Sequence, residues 1–170
     1  MKKKIFLLLL IGLISQMVMA GDWKTRYGKD AFGEEDTSRV VYTVNLSGST
    51  NIVRPNENCT LGVMAYPYNG YAVIKVFLHR DGGGVSSFFS NSTANFKLAN
   101  GSKLAVSCQQ TDNGDLWLGT NAEEIKTVEK IFNNGNFTLS IQSSNDFGDR
   151  MTCLFKVGNQ TTGIKRLVTQ

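Results

Sequence analysis

From residue 39 onward, apolar side chains fall at alternate positions in short runs separated by Gly, Asn and Asp. That period of two puts one set of side chains on one face of a strand. Residues 39–46 are rich in Val, Tyr and Thr and stop at Ser47-Gly48-Ser49. Residues 59–66 end at Pro67-Tyr68-Asn69-Gly70, where Asn-Gly marks a turn. Residues 71–79 carry Val73, Ile74, Val76, Phe77 and Leu78 almost without interruption, which predicts a strand covered on both faces. A glycine run, Gly82-Gly83-Gly84, precedes a short strand over 85–90. Residues 94–98 and 103–109 flank Ala99-Asn100-Gly101, and Asp112-Asn113-Gly114 leads into 115–119 as a further hairpin. Residues 137–142 and 150–157 form the last pair.

One segment changes period. Asn121 can cap, Glu124 follows three residues later, Ile125, Val128, Ile131 and Phe132 recur at helical spacing, and Asn134-Gly135 stops the pattern. This predicts an amphipathic helix over about residues 121–133. Ile125, Val128 and Phe132 would face the core, with Glu123, Lys126, Glu129 and Lys130 toward water. A short terminal helix over 161–168 would tuck Ile164 and Leu167 inward. The element order predicts a mainly β fold: an antiparallel β-sandwich with one inserted α-helix.

The start of the chain has a different character. Lys2, Lys3 and Lys4 precede an apolar run from Ile5 to Leu13, and Val18-Met19-Ala20 ends it with small residues. That is the layout of a secretory signal peptide, and the run is too short to span a bilayer stably. The expected organisation is a signal peptide at 1–20 and a single β-sandwich domain at 21–170, located in the periplasm or secreted, with no stable membrane anchor after cleavage. Loss of the leader also corrects the charge. The chain has 18 Lys and Arg against 14 Asp and Glu, and three of the lysines lie in the leader, leaving 15 bases and 14 acids. Nucleic-acid binding would require a basic patch that persists after processing, so it is set aside.

Export places Cys59, Cys108 and Cys153 in an oxidising compartment. Each lies in a strand-like run whose apolar phase points its sulfur inward. The expectation is one structural disulfide among the three possible pairings, with one cysteine over. No C-x-x-C occurs and His79 is the sole histidine, so neither a metal site nor any other cofactor is expected.

Catalytic arrangements are thinly supplied. A triad would have to use His79, which stands at a strand end in His79-Arg80-Asp81-Gly82. A glycosidase would need two acids across a cleft. The candidates are Glu34, Glu35 and Asp36, the pair Asp112 and Asp115, and the pair Asp146 and Asp149. All of these sit where turn chemistry or a solvated loop explains them. Aromatic residues make the better binding site: Tyr66, Tyr68 and Tyr71 surround one turn and Phe88-Phe89 follow the glycine run. If both loops share one end of the domain, they present apolar anchors to a partner. Trp23 would pin the first segment to the body, and Trp117 alternates with Leu116 and Leu118, so it points away from them.

The C-terminal half carries Leu116-Trp117-Leu118-Gly119, the helix with Ile125 and Phe132, then Asn136-Phe137-Thr138-Leu139-Ser140-Ile141. Cys153-Leu154-Phe155-Lys156-Val157-Gly158 and Gly163-Ile164-Lys165-Arg166-Leu167 follow, and Gly21-Asp22-Trp23 and Asp30-Ala31-Phe32-Gly33 stand near the start. Over residues 21–167 this resembles small exported β-sandwich proteins of bacteria and phages, of the invasion-associated locus B and type VI secretion accessory group. The resemblance implies an exported accessory module without catalytic residues. The expected function is therefore a non-enzymatic protein, bacterial or phage-borne, that binds an envelope or secreted protein partner. The alternative is a hydrolase acting on cell-wall or surface polysaccharide through paired carboxylates.

Overall fold

The computed structural model describes residues 23–52, 56–80 and 84–158. The leader-like segment, Gly21-Asp22, the first residues of the glycine run and the expected terminal helix lie outside the described residues.

The strands are β1 (Lys24–Lys29), β2 (Glu35–Thr50), β3 (Glu57–Tyr68), β4 (Tyr71–Arg80), β5 (Gly84–Ser86), β6 (Asn91–Leu98), β7 (Lys103–Gln110) and β8 (Leu116–Leu118). Helix α1 (Ala122–Asn134) follows, then β9 (Phe137–Ser144) and β10 (Arg150–Val157). Strand order is β2-β10-β9-β6-β7-β8-β4-β3, and β3 pairs back onto β2, closing an eight-stranded antiparallel barrel. The expected sandwich is thus corrected. Closure occurs on β2, whose Gly48 pairs with Cys59 of β3 on one side and Phe155 of β10 on the other. A barrel and a sandwich bury the same alternate residues, so the period of two does not distinguish them; pairing between distant strands does.

Inward residues fill the barrel. Leu46, Leu61, Ile74, Phe96, Leu139 and Phe155 are all inaccessible or nearly so. Helix α1 contacts β4 and β8 at one end of the barrel. Asn121 caps it, its Oδ1 accepting from the Glu124 N–H at 3.0 Å. The Glu124 carboxylate reaches back to the Thr120 N–H at 2.8 Å and across to the Ser107 N–H of β7 at 3.3 Å. Those amides, Thr120 foremost, hold its pKa below the ordinary carboxylate value. Phe132 sets its ring edge to Phe137 at 5.0 Å and to Phe96 and Trp23 at 6.3 Å each, so Trp23 packs against the body as expected. Ile125 is only half-buried, and Glu129, expected to face water, is buried instead.

Four hairpins share one turn. Asp30–Glu34, Leu98–Ser102, Thr111–Asp115 and Asn145–Asp149 each have the first N–H bonded to the fifth C=O and the fourth N–H to the first C=O. The fourth residue is Gly33, Gly101, Gly114 or Gly148, with φ between +78° and +91°. Glycine occupies this left-handed position without steric cost.

No disulfide links the cysteines, and none is at disulfide distance from another. Cys59 lies on β3 opposite Gly48, and Cys153 lies on β10 opposite Thr50, so β2 runs between them. Two strand spacings separate their backbones by about 9–10 Å, beyond the roughly 7 Å that a disulfide tolerates. Both sulfurs point inward. A hydrogen bond from Cys59 is the main cause that lowers the Cys153 pKa, and Cys153 Sγ also donates to Thr50 Oγ1 at 3.5 Å. Cys108, on β7 opposite Leu118, is pushed up to about 12, chiefly by burial.

Candidate functional site

Strands β3, β4 and β8 turn an aromatic face outward. Alternation fixes its membership: Leu61, Val63 and Ala65 point into the barrel, so Gly62, Met64, Tyr66 and Tyr68 point out. On β4, Ala72, Ile74, Val76 and Leu78 are inward, leaving Tyr71, Val73, Lys75, Phe77 and His79 outward. On β8, Leu116 and Leu118 are buried and Trp117 stands on the outside between them.

Register joins these residues into one surface. Lys75 pairs with both Met64 and Trp117, so the three lie in a row across three strands. Tyr66 meets Trp117 edge-on, ring centres 5.5 Å apart, and its hydroxyl donates to the Met64 sulfur at 3.1 Å. Lys75 Nζ lies 5.9 Å from the Trp117 ring centre and 3.0 Å from Asp115 Oδ2. The indole and the carboxylate together hold the ammonium over the aromatic surface. At one edge Tyr68 and Tyr71 pack edge-to-face at 5.6 Å, with Lys126 Nζ of α1 at 5.8 Å from the Tyr71 ring. At the other, Phe77 and His79 meet at 5.0 Å, nearly perpendicular. Tyr66, Tyr71, Phe77 and Trp117 are half-buried, whereas Tyr68, at 56%, and His79 are exposed.

The five aromatic residues expected to form one loop patch separate. Tyr66, Tyr68 and Tyr71 belong to this face. Phe88 is a core residue, 1% exposed, and Phe89 packs against the core with its N–H donating to Ser143 Oγ at 2.6 Å. Strand β4 runs the length of the barrel between the two loops, about 30 Å for its ten residues. They therefore sit at opposite ends. Trp117, Phe77, His79 and Lys75 complete the site; the sequence singled out Trp117 and His79 separately, counted Phe77 among the apolar residues of its strand, and gave no signal for Lys75. The signal that could have joined them is outward parity on strands that pair.

The carboxylates are dispersed. Asp115 is bound to Lys75 and Asp146 accepts from Asn91 Nδ2 at 3.1 Å. Asp149 accepts from Asn145 Nδ2 at 2.8 Å. Asp36 takes bonds from the Ser38 hydroxyl and Arg39, which lower its pKa. Two surface cavities stand out, of about 680 and 470 Å³. The larger is lined by hydroxyl and amide side chains with Cys108, Met151 and Arg150; neither has an acidic residue in its lining. Among the described residues, no group of three or more His, Cys, Asp and Glu is arranged to hold a metal ion. None of the described helices is long and apolar enough to cross a membrane.

Compared with known proteins, the chain matches no family model, no curated protein and no solved structure.

Proposed function

We propose that this protein is a non-catalytic interaction module that binds a protein partner through the aromatic face of β3, β4 and β8. The observation that carries the reading is the row Met64–Lys75–Trp117 with Tyr66 set against the indole. Tyr, Trp and Met are the side chains that anchor protein interfaces, because they offer large area at little conformational cost. Here they sit on a rigid closed sheet, so their ordering precedes binding rather than opposing it. Lys75 in the middle of the row and Lys126 at its edge add cationic points to the aromatic surface.

The polysaccharide hydrolase receives no support from the geometry, because its candidate acids are confined to hairpin turns and the exposed arm and line neither cavity. Export to the envelope belongs to the proposal. It rests on the leader-like residues 2–20 and on the likeness to the invasion-associated locus B and type VI secretion accessory group. The test is capture from envelope extract by the processed protein, then by the Tyr66→Ala and Trp117→Ala variants after circular dichroism shows that each is folded. Loss of the same captured protein in both variants supports the reading. Undiminished capture by the folded variants overturns it.

A further inference from the structure

Strand β2 is longer than the barrel that it helps to close. It pairs with β3 only from Tyr42 onward and with β10 only over Gly48–Thr50, whereas its first residues pair with β1 alone. The outcome is a two-stranded arm that projects from the helix-bearing end. Its tip is Asp30-Ala31-Phe32-Gly33-Glu34, and Phe32 is 91% exposed. The turn itself does not call for an aromatic ring: in two of the other three hairpins of identical bonding, the equivalent residue is Asn100 or Asn113. The tip is also acidic. Asp36 is held by Arg39 at 2.7 Å, but Asp30, Glu34 and Glu35 make no ion pair among the described residues.

The outer face of β7, β6, β9 and β10 has the opposite character. Ala105, Asn95, Ser140 and Leu154 are aligned by register into one row, forming the floor of the 470 Å³ groove. Leu154 is an exposed apolar side chain, and Asn95 Nδ2 is buried with no acceptor among the described residues. The adjacent row places Lys103 directly opposite Lys97, with Thr138 and Lys156 continuing it. Like charges at directly opposed positions destabilise a sheet, and none of the three lysines has a carboxylate partner among the described residues.

We infer that the acidic, phenylalanine-tipped arm of one copy seats in the lysine-rimmed groove of a second copy of this chain. Phe32 covers Leu154 and the small-residue floor, while Asp30, Glu34 and Glu35 face Lys97, Lys103 and Lys156. The complementarity is specific to this tip. Phe147, 94% exposed, stands on a second turn of the same form at the other end of the barrel, but both its acids, Asp146 and Asp149, are bonded to Asn91 and Asn145. At the arm tip Asp30 accepts from the Phe32 and Glu34 amides, while the Glu34 and Glu35 carboxylates have no partner among the described residues. This interface uses a different wall from the aromatic face and is independent of the partner proposed for it.

Sedimentation equilibrium over micromolar to submillimolar concentrations tests the inference. The chain is expected to self-associate, less at high salt. Phe32→Ser is expected to raise the dissociation constant about tenfold or more, and Phe147→Ser to leave it unchanged. Lys97→Glu with Lys103→Glu in one chain, or Glu34→Lys with Glu35→Lys in another, should each abolish self-association. Mixing the two variants should restore it, because every arm then meets a groove of opposite charge; restoration also shows that both are folded. A chain that is monomeric throughout, a dimer indifferent to Phe32→Ser, or charge-reversed variants that fail to associate on mixing would each overturn the inference.

Discussion

Gly62 and Phe77 are cross-strand partners on β3 and β4, and the Phe77 ring occupies the space where a side chain on residue 62 would stand. A strand glycine left bare would expose backbone, and covering it with a neighbouring aromatic ring restores the packing. The same contact holds Phe77 flat on the outer face, where it meets His79. Gly62→Ala places a methyl group into the ring. The expected cost is about 1–3 kcal/mol, as for overpacking at a well-filled position, read as a lower denaturant midpoint at unchanged slope. Adding Phe77→Ala to Gly62→Ala should recover part of it. A Gly62→Ala protein as stable as wild type would show that the ring is not fixed there.

Gly48 is the stricter case, because it lies where β2 serves both β3 and β10. A Cβ there would run into the Leu154 carbonyl as well as the Phe155 ring. A ring end can turn aside, whereas the carbonyl belongs to the ladder that closes the barrel. Gly48→Ala is therefore expected to cost more than Gly62→Ala, about 3 kcal/mol or above, and to increase amide exchange in β10 before β4. Equal protection of the two strands in the variant would separate Gly48 from closure.

How far the chain announces this architecture depends on which residue is asked. The helix is written locally: Asn121, Glu124 and Gly135 define its limits, and the observed element begins one residue later than expected and ends one residue beyond. Strands β3, β4 and β10 are legible because their alternation is strong. The arm is not. Residues 24–39 are exposed apart from the half-buried Gly28 and Asp36, so no apolar period marks β1 or the start of β2, and Glu34-Glu35-Asp36 reads as a loop. Closure is invisible for another reason: it rests on pairing Gly48 with residues 59 and 155, and no local pattern encodes a partner more than a hundred residues away. The site falls between these cases. Tyr66 and Trp117 each show their outward phase in the sequence, but their contact exists only because β4 lies between β3 and β8.

The thiols give a chemical readout of the same burial. Desolvation pushes Cys108 up to about 12, and Cys59 and Cys153 lie inside the barrel. Only a thiolate attacks an alkylating reagent. At pH 8 the folded protein should resist iodoacetamide, with all three cysteines reacting quickly once denaturant is added. For Cys108 the rate in the folded state should climb with pH well beyond the point where an ordinary thiol has levelled off. Rapid labelling of Cys108 in the folded protein at pH 8 would contradict the desolvation that raises its pKa.

Glu129 makes the stability of the fold depend on pH. Burial raises its pKa, against the opposing effects of the Ala72 amide, Asn133, Lys130 and Lys126, and its Oε1 has no hydrogen-bond partner among the described residues. Below the ordinary glutamate value the carboxyl is protonated in both folded and unfolded chains and carries no penalty. As pH rises through that value the unfolded chain ionises first, so the folded state loses stability until the folded group's own, higher pKa is passed. Glu129→Gln removes the ionisation while keeping the shape and a polar end. Thermal melts should show the variant more stable than wild type at about pH 7, with the difference shrinking toward zero near pH 4, below the reference glutamate pKa. If Glu129→Gln instead lowers the melting temperature at pH 7, the buried group is held as a carboxylate by the Ala72 amide and the two helix lysines, and the direction assigned to its pKa is reversed.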